Sequence, residues 1–117
     1  MKVLVVDDSD LIMEMAKAFL TAMGHEVVGE AYNGNDAVKI FTEKRPDLVL
    51  LDLVMPGKNG MQVLQEIKAI DPVVNVVMIT AVQQDPISRE LLSKGATAIL
   101  NKPFIYDELE AVLKQVQ

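Results

Sequence analysis

Four short runs that are apolar on both faces, each closed by a polar residue, constrain this chain more than any other feature. Val3-Leu4-Val5-Val6 runs into Asp7-Asp8, and Leu48-Val49-Leu50-Leu51 runs into Asp52. Val76-Val77-Met78-Ile79 runs into Thr80, and Ala98-Ile99-Leu100-Asn101 runs into Lys102-Pro103. Runs this short without polar alternation read as strands buried on both sides, as in a parallel sheet between helical layers. A parallel sheet brings the C-terminal ends of its strands to one edge, where open α/β sheets bind their ligands. Three carboxylates, a hydroxyl and an ammonium are therefore expected in one place.

Helical segments fill the intervals. A first strand over about 2–6 precedes a helix from Ser9 or Asp10 to Met23, capped by Ser9 or Asp8 and stopped by Gly24. A second strand, about 26–31, is polar enough for a sheet edge, and Asn33-Gly34 turns into a helix that ends before Pro46. The loop Met55-Pro56-Gly57-Lys58-Asn59-Gly60 leads to a third helix closed by Asp71-Pro72. Asp85-Pro86 reads as cap and first residue of a fourth helix that stops at Gly95, and a fifth helix starts near Tyr106. Five β-α units with right-handed crossovers specify a doubly wound five-stranded parallel sheet with helices on both faces. The common order 2-1-3-4-5 places Asp7, Asp8 and Asp52 in one crevice, with Thr80 beside them and Lys102 reaching across.

Length and composition narrow the function. At 117 residues the chain is expected to form a single domain, 1–117, with one core. No apolar run approaches the ~20 residues that cross a bilayer. The N-terminal run meets two acids too soon for a signal peptide. The absence of cysteine excludes disulfides, thiolate metal sites and thiol catalysis, and a cytoplasmic location is the expectation. A net charge of −6 argues against nucleic-acid binding by this domain, since phosphate contact needs a basic patch. The seven methionines read as core filler.

Carboxylates on neighbouring strand ends repel. Two unit charges 4 Å apart interact by about 4 kcal/mol at an effective dielectric near 20. Lys102 is one candidate to offset this, and a divalent cation is the other. Oxygen-only ligands select a hard ion, Mg²⁺ foremost. A hard cation, a lysine, a hydroxyl and a further carboxylate together match the parts of phosphoryl transfer. The sole histidine, His25, belongs to the turn at the opposite end of the sheet, so Asp52 is the favoured nucleophile.

Val5-Val6-Asp7-Asp8-Ser9, Pro46-Asp47-Leu48-Val49-Leu50-Leu51-Asp52, Met55-Pro56-Gly57-Lys58-Asn59-Gly60, Thr80-Ala81 and Lys102-Pro103-Phe104 resemble, in order and spacing, the response-regulator receiver domain of two-component signalling. The resemblance spans nearly the whole chain and implies a flavodoxin-like, CheY-like fold. It implies that Asp52 accepts a phosphoryl group from a histidine kinase or histidine phosphotransfer protein. Asp7, Asp8, Asp52 and the Val54 backbone carbonyl would hold Mg²⁺. Lys102 would pair with phosphoryl oxygens, Thr80 would donate a hydroxyl hydrogen bond to the phosphate, and the Lys102–Pro103 bond would be cis. Such a domain signals by conformational change and turns over no independent substrate.

The chain departs from the family pattern at two places. Ile99 stands three residues before Lys102, where many relatives carry Tyr or Phe, so no aromatic swing is available there. Val54 and Val82, each two residues after a site residue, replace groups that are often polar, which predicts slow autodephosphorylation. Ile12, Met15, Pro103 and Phe104 are expected to form an apolar rim for a histidine-bearing helical bundle. Lys94, Asn101, Tyr106 and Glu110 are candidate contacts of an output face. A stand-alone chemotaxis or phosphorelay receiver is the first expectation, and a receiver cut from a larger regulator is the second. A haloacid-dehalogenase-like phosphohydrolase would need an Asp two residues after the nucleophile, where Val54 stands. A flavin module would need a phosphate-binding loop where Asp7-Asp8-Ser9-Asp10 stands.

Overall fold

Alternation of apolar strands and amphipathic helices produces ten elements in strict β-α order. They are β1 (Lys2–Val6), α1 (Asp10–Ala22), β2 (Glu26–Ala31), α2 (Gly34–Lys44), β3 (Leu48–Asp52), α3 (Gly60–Ile70), β4 (Asn75–Thr80), α4 (Asp85–Ser93), β5 (Ala98–Asn101) and α5 (Tyr106–Val116). The computed structural model describes residues 1–81 and 85–116, so Val82 lies outside the described residues. All four strand pairings are parallel, as the repeat predicts, and the order is β2-β1-β3-β4-β5, the common doubly wound order.

Side chains alternate across the pleat, so each central strand feeds two cores. Leu4, Val6, Val49, Leu51, Val76 and Met78 pack with Ala37 and Phe41 of α2, Val63 and Ile67 of α3, and Leu91 of α4. Val3, Val5, Leu48, Leu50, Val77 and Ile79 pack on the other face with Met13, Ala16 and Leu20 of α1 and Leu109 and Leu113 of α5. Strands β3 and β4 contribute almost nothing to the surface, which explains why their sequence lacks polar alternation.

Helix starts follow local chemistry. The Ser9 side chain accepts from the Ile12 amide, and the Asn33 side chain from the Asp36 amide. Asn59 and Gln62 form a reciprocal capping box at the start of α3. α4 begins at Asp85 itself, one residue earlier than the Asp85-Pro86 signal suggests. The second helix ends on Arg45 in the left-handed region (φ 46°), a position more often given to glycine, before Pro46 turns the chain into β3. The edge strand β2 carries a register shift, with Val3 opposite Val27 and Leu4 opposite Gly29. Such a bulge and the flanking Glu26 and Glu30 protect an exposed edge from pairing with another strand. Among the described residues no helix is long and apolar enough to cross a membrane.

Candidate functional site

The strand ends converge as their positions require. Asp7 follows β1 and donates its backbone amide to the Ala31 carbonyl at 3.0 Å, which carries the β1–β2 ladder one residue beyond the strand. Asp52 is the last residue of β3, and the amide of Leu53 donates to Ile79 of β4 at 3.0 Å. Thr80 closes β4, and its carbonyl accepts from the Lys102 amide at 2.9 Å. Backbone bonds of the sheet thus fix the root of every site residue but Asp8 and Val54.

Asp7, Asp52 and Thr80 are buried, whereas Asp8 is exposed. One carboxylate oxygen from each of Asp7, Asp8 and Asp52 can be chosen so that all lie within 4.8 Å of one another. Lys102 extends into this group, its Nζ 2.8 Å from Asp7 Oδ2 and 3.2 Å from Asp52 Oδ1. The remaining Asp7 oxygen accepts from the Ser9 amide at 2.9 Å, which orients the carboxylate. Asp52 Oδ1 also accepts from the Val54 amide at 3.3 Å. The Lys102–Pro103 peptide is cis.

Electrostatics in the pocket are unbalanced. Burial pushes the Asp52 carboxyl up to about 6, and the Asp7 charge adds to the rise against the lowering effect of Lys102. Burial pulls the Lys102 ammonium down, but its contacts with Asp7 and Asp52 outweigh this and leave it above the usual lysine value. Three ionised carboxylates against one ammonium leave two negative charges, the charge of one divalent cation. Among the described residues, Asp7 Oδ2 is buried without a hydrogen-bond partner and is offset by the ammonium of Lys102. The donor set is all oxygen, so the residues present fit a small hard cation.

The loop from Leu53 to Asn59 closes the pocket. Its ends meet where the Gly60 amide donates to the Leu53 carbonyl at 2.8 Å. A side chain at Gly60 would collide with the Asp52 carbonyl and lie 2.6 Å from Leu53 Cα, so only glycine lets α3 start against the strand. Val54 projects outward and is 66% exposed, whereas Met55 inserts into the core.

The surroundings correct part of the expected rim. Ile12 and Met15 are half-buried, and Pro103 and Leu11 are exposed. Phe104 is not part of that rim. It is buried against Val3, Val5 and Leu109, and its ring meets Phe19 edge-on at 6.3 Å. The chain turns inward directly after Pro103, which a sequence pattern cannot reveal. Ile99 is half-buried and packs on the core shared by α2, α3 and α4. On the expected output face Lys94 and Asn101 are exposed. Tyr106 there is half-buried, its ring 5.5 Å from Phe19. Glu110 lines a cavity of about 120 Å³ with Met23 and His25, at the end of the sheet away from the carboxylates.

A family model for the response regulator receiver domain matches residues 3–114. The chain is similar to the chemotaxis protein CheY of Thermotoga maritima, with 36% identity over 115 residues that cover 98% of this chain and 96% of that protein. Similarity to CheY of Bacillus subtilis reaches 40% identity over 114 residues, 97% of this chain and 95% of that protein. A chain of the CheX–CheY–BeF3–Mg²⁺ complex from Borrelia burgdorferi aligns with a TM-score of 0.96 at 28% identity. That alignment covers 98% of this chain and 87% of the other.

Proposed function

This chain belongs to the response regulator receiver domain family, and from that membership we propose that it is a phosphoacceptor switch whose acceptor is Asp52. The observation that carries the proposal is the placement of a buried carboxylate with a raised pKa between two further carboxylates and the ammonium of Lys102. A carboxylate so placed is a nucleophile surrounded by groups that neutralise charge rather than donate protons.

In the proposed step an oxygen of Asp52 attacks the phosphorus of a phosphohistidine on a histidine kinase or phosphotransfer protein. The new O–P bond forms as the P–N bond breaks, and the electron pair leaves with the imidazole, which takes a proton. The Lys102 and Val54 contacts of Asp52 fall on Oδ1, which favours Oδ2 as the attacking atom in this reading. Lys102 is released from part of its pairing with Asp52 and engages a phosphoryl oxygen instead. Thr80, on the neighbouring strand end, donates its hydroxyl to another. Asp7, Asp8, Asp52 and the carbonyl of Val54 would hold Mg²⁺, which when bound neutralises the charge that gathers on the transferring group.

The reaction is the domain's own modification, with no independent substrate turned over, so the protein acts as a cytoplasmic signalling switch rather than an enzyme. Phosphorylation is read as a population shift between conformers that reaches a downstream protein partner. Incubation with acetyl phosphate, followed by intact mass measurement, tests the proposal. One added phosphate that requires Mg²⁺ and is absent from Asp52→Asn is the expected result. Addition without Mg²⁺, or in the Asp52→Asn protein, contradicts it.

A further inference from the structure

We propose that Lys58 is a positioning residue for metal binding, an assignment that rests on the receiver reading of the Val54 carbonyl as a ligand. The β3–α3 loop that carries this carbonyl contains the exposed Pro56 and an exposed glycine at φ +74°, Gly57. Met55 anchors the middle of the loop in the core. Lys58 anchors its far end, and does so at both root and tip.

At the root, the backbone of Lys58 presses on the first residue of α2. A Cβ built on Gly34 would stand 2.5 Å from the Lys58 carbonyl oxygen and 2.7 Å from its Cβ, closer than atoms pack, so glycine is required for this approach. At the tip, Nζ lies 2.9 Å from Oε1 and 2.8 Å from Oε2 of Glu66, in the second turn of α3. The pair is partly shielded, with the Lys58 side chain 25% and the Glu66 side chain 43% exposed, and among the described residues the buried Glu66 Oε2 has no hydrogen bond to take the place of the ion pair. One residue therefore joins the loop to two helices, and the Val54 carbonyl is held on the segment between this joint and the sheet. A metal ligand on a loop keeps its affinity only while outer contacts hold the loop in place.

Charge and positioning predict opposite effects, which makes the role testable. Loss of a cation near a Mg²⁺ site strengthens binding if Coulomb attraction is all that matters. Loss of the joint weakens it. The measurement is a Mg²⁺ titration of the ¹⁵N-labelled protein, read from the amide shifts of Asp8, Asp52 and Val54, for the parent, Lys58→Met, Lys58→Glu and the Lys58→Glu/Glu66→Lys double variant. The expected result is binding about five- to tenfold weaker in both single variants, near the low end for outer-shell partners, and restored to within about twofold in the double variant. Single variants that bind Mg²⁺ as tightly as the parent, or more tightly, overturn the role of Lys58 alone. A double variant as weak as the singles also overturns it. A parent that shows no saturable Mg²⁺ response at these amides overturns the metal reading and the role of Lys58 with it.

Discussion

The ammonium of Lys102 lies 2.8 Å from Asp7 Oδ2, closer than its 3.2 Å approach to Asp52 Oδ1. Its resting partner is thus the buried carboxylate of β1, and Asp52 holds it less closely. A lysine so divided stabilises the empty pocket and is available to a phosphoryl group when one arrives.

Removal of this cation should expose the repulsion it offsets. Lys102→Met is expected to lose about 2–3 kcal/mol of stability at pH 7.5 in chelator, somewhat below the cost of breaking a fully buried pair because Lys102 is partly exposed. Millimolar Mg²⁺ should return most of the loss. Urea denaturation with and without Mg²⁺ checks both statements, and a variant equal to the parent in chelator contradicts them.

The raised pKa of Asp52 makes stability depend on pH with a defined sign. The folded state holds this proton up to about pH 6, whereas the unfolded carboxyl releases it near 3.8. Stability tied to Asp52 is therefore fully present below pH 3.8, falls as pH rises to about 6, and stays low above it. Allowing for solvent screening, the penalty at neutral pH is about 1–2 kcal/mol. Asp52→Asn should be more stable than the parent by that amount at pH 7.5 in chelator and near-equal at pH 4. Paired denaturation curves at the two pH values test this, and saturating Mg²⁺ should erase the advantage of the variant.

Gly60→Ala should cost about 2–3 kcal/mol, because the added methyl meets the Asp52 carbonyl and Leu53 Cα, backbone atoms that cannot rotate away. Thermal denaturation measures the loss. A shift as small as that of an ordinary exposed Gly→Ala change would show that α3 does not start against the strand.

Val54 leaves the mouth of the pocket without a side chain that orients water, being apolar and 66% exposed. Val54→Asn should shorten the lifetime of the phosphorylated protein about tenfold, equal to about 1.4 kcal/mol of barrier. Decay of the phosphoprotein followed by mass or radiolabel is the check, and an unchanged lifetime rejects the explanation.

Much of the fold could be read from the sequence because β1, β3 and β4 are buried on both faces and leave no ambiguity of period. The same strands carry Asp7, Asp52 and Thr80 at their ends, so once the order was set the core of the site followed. What escaped depends on tertiary approach. Lys58 and Glu66 lie eight residues apart across a loop and a helix start, a separation with no periodic signal. Phe104 after Pro103 has the same composition whether it faces a partner or the core, and its burial against Phe19 depends on where α1 and α5 pack. Arg45 in the left-handed region carries no local mark, since the usual glycine is missing there. The fits between neighbouring elements, unlike the elements themselves, were therefore hidden.

The most direct test of the central claim is to locate the acyl phosphate chemically. Borohydride reduces an aspartyl phosphate to homoserine, so reduction after exposure to acetyl phosphate and Mg²⁺, followed by peptide mass spectrometry, marks the acceptor. Homoserine at residue 52, lost when Mg²⁺ is chelated, is the predicted result. Homoserine at residue 7 or 8 with Asp52 intact, or a phosphate gain that leaves no homoserine, would contradict the account.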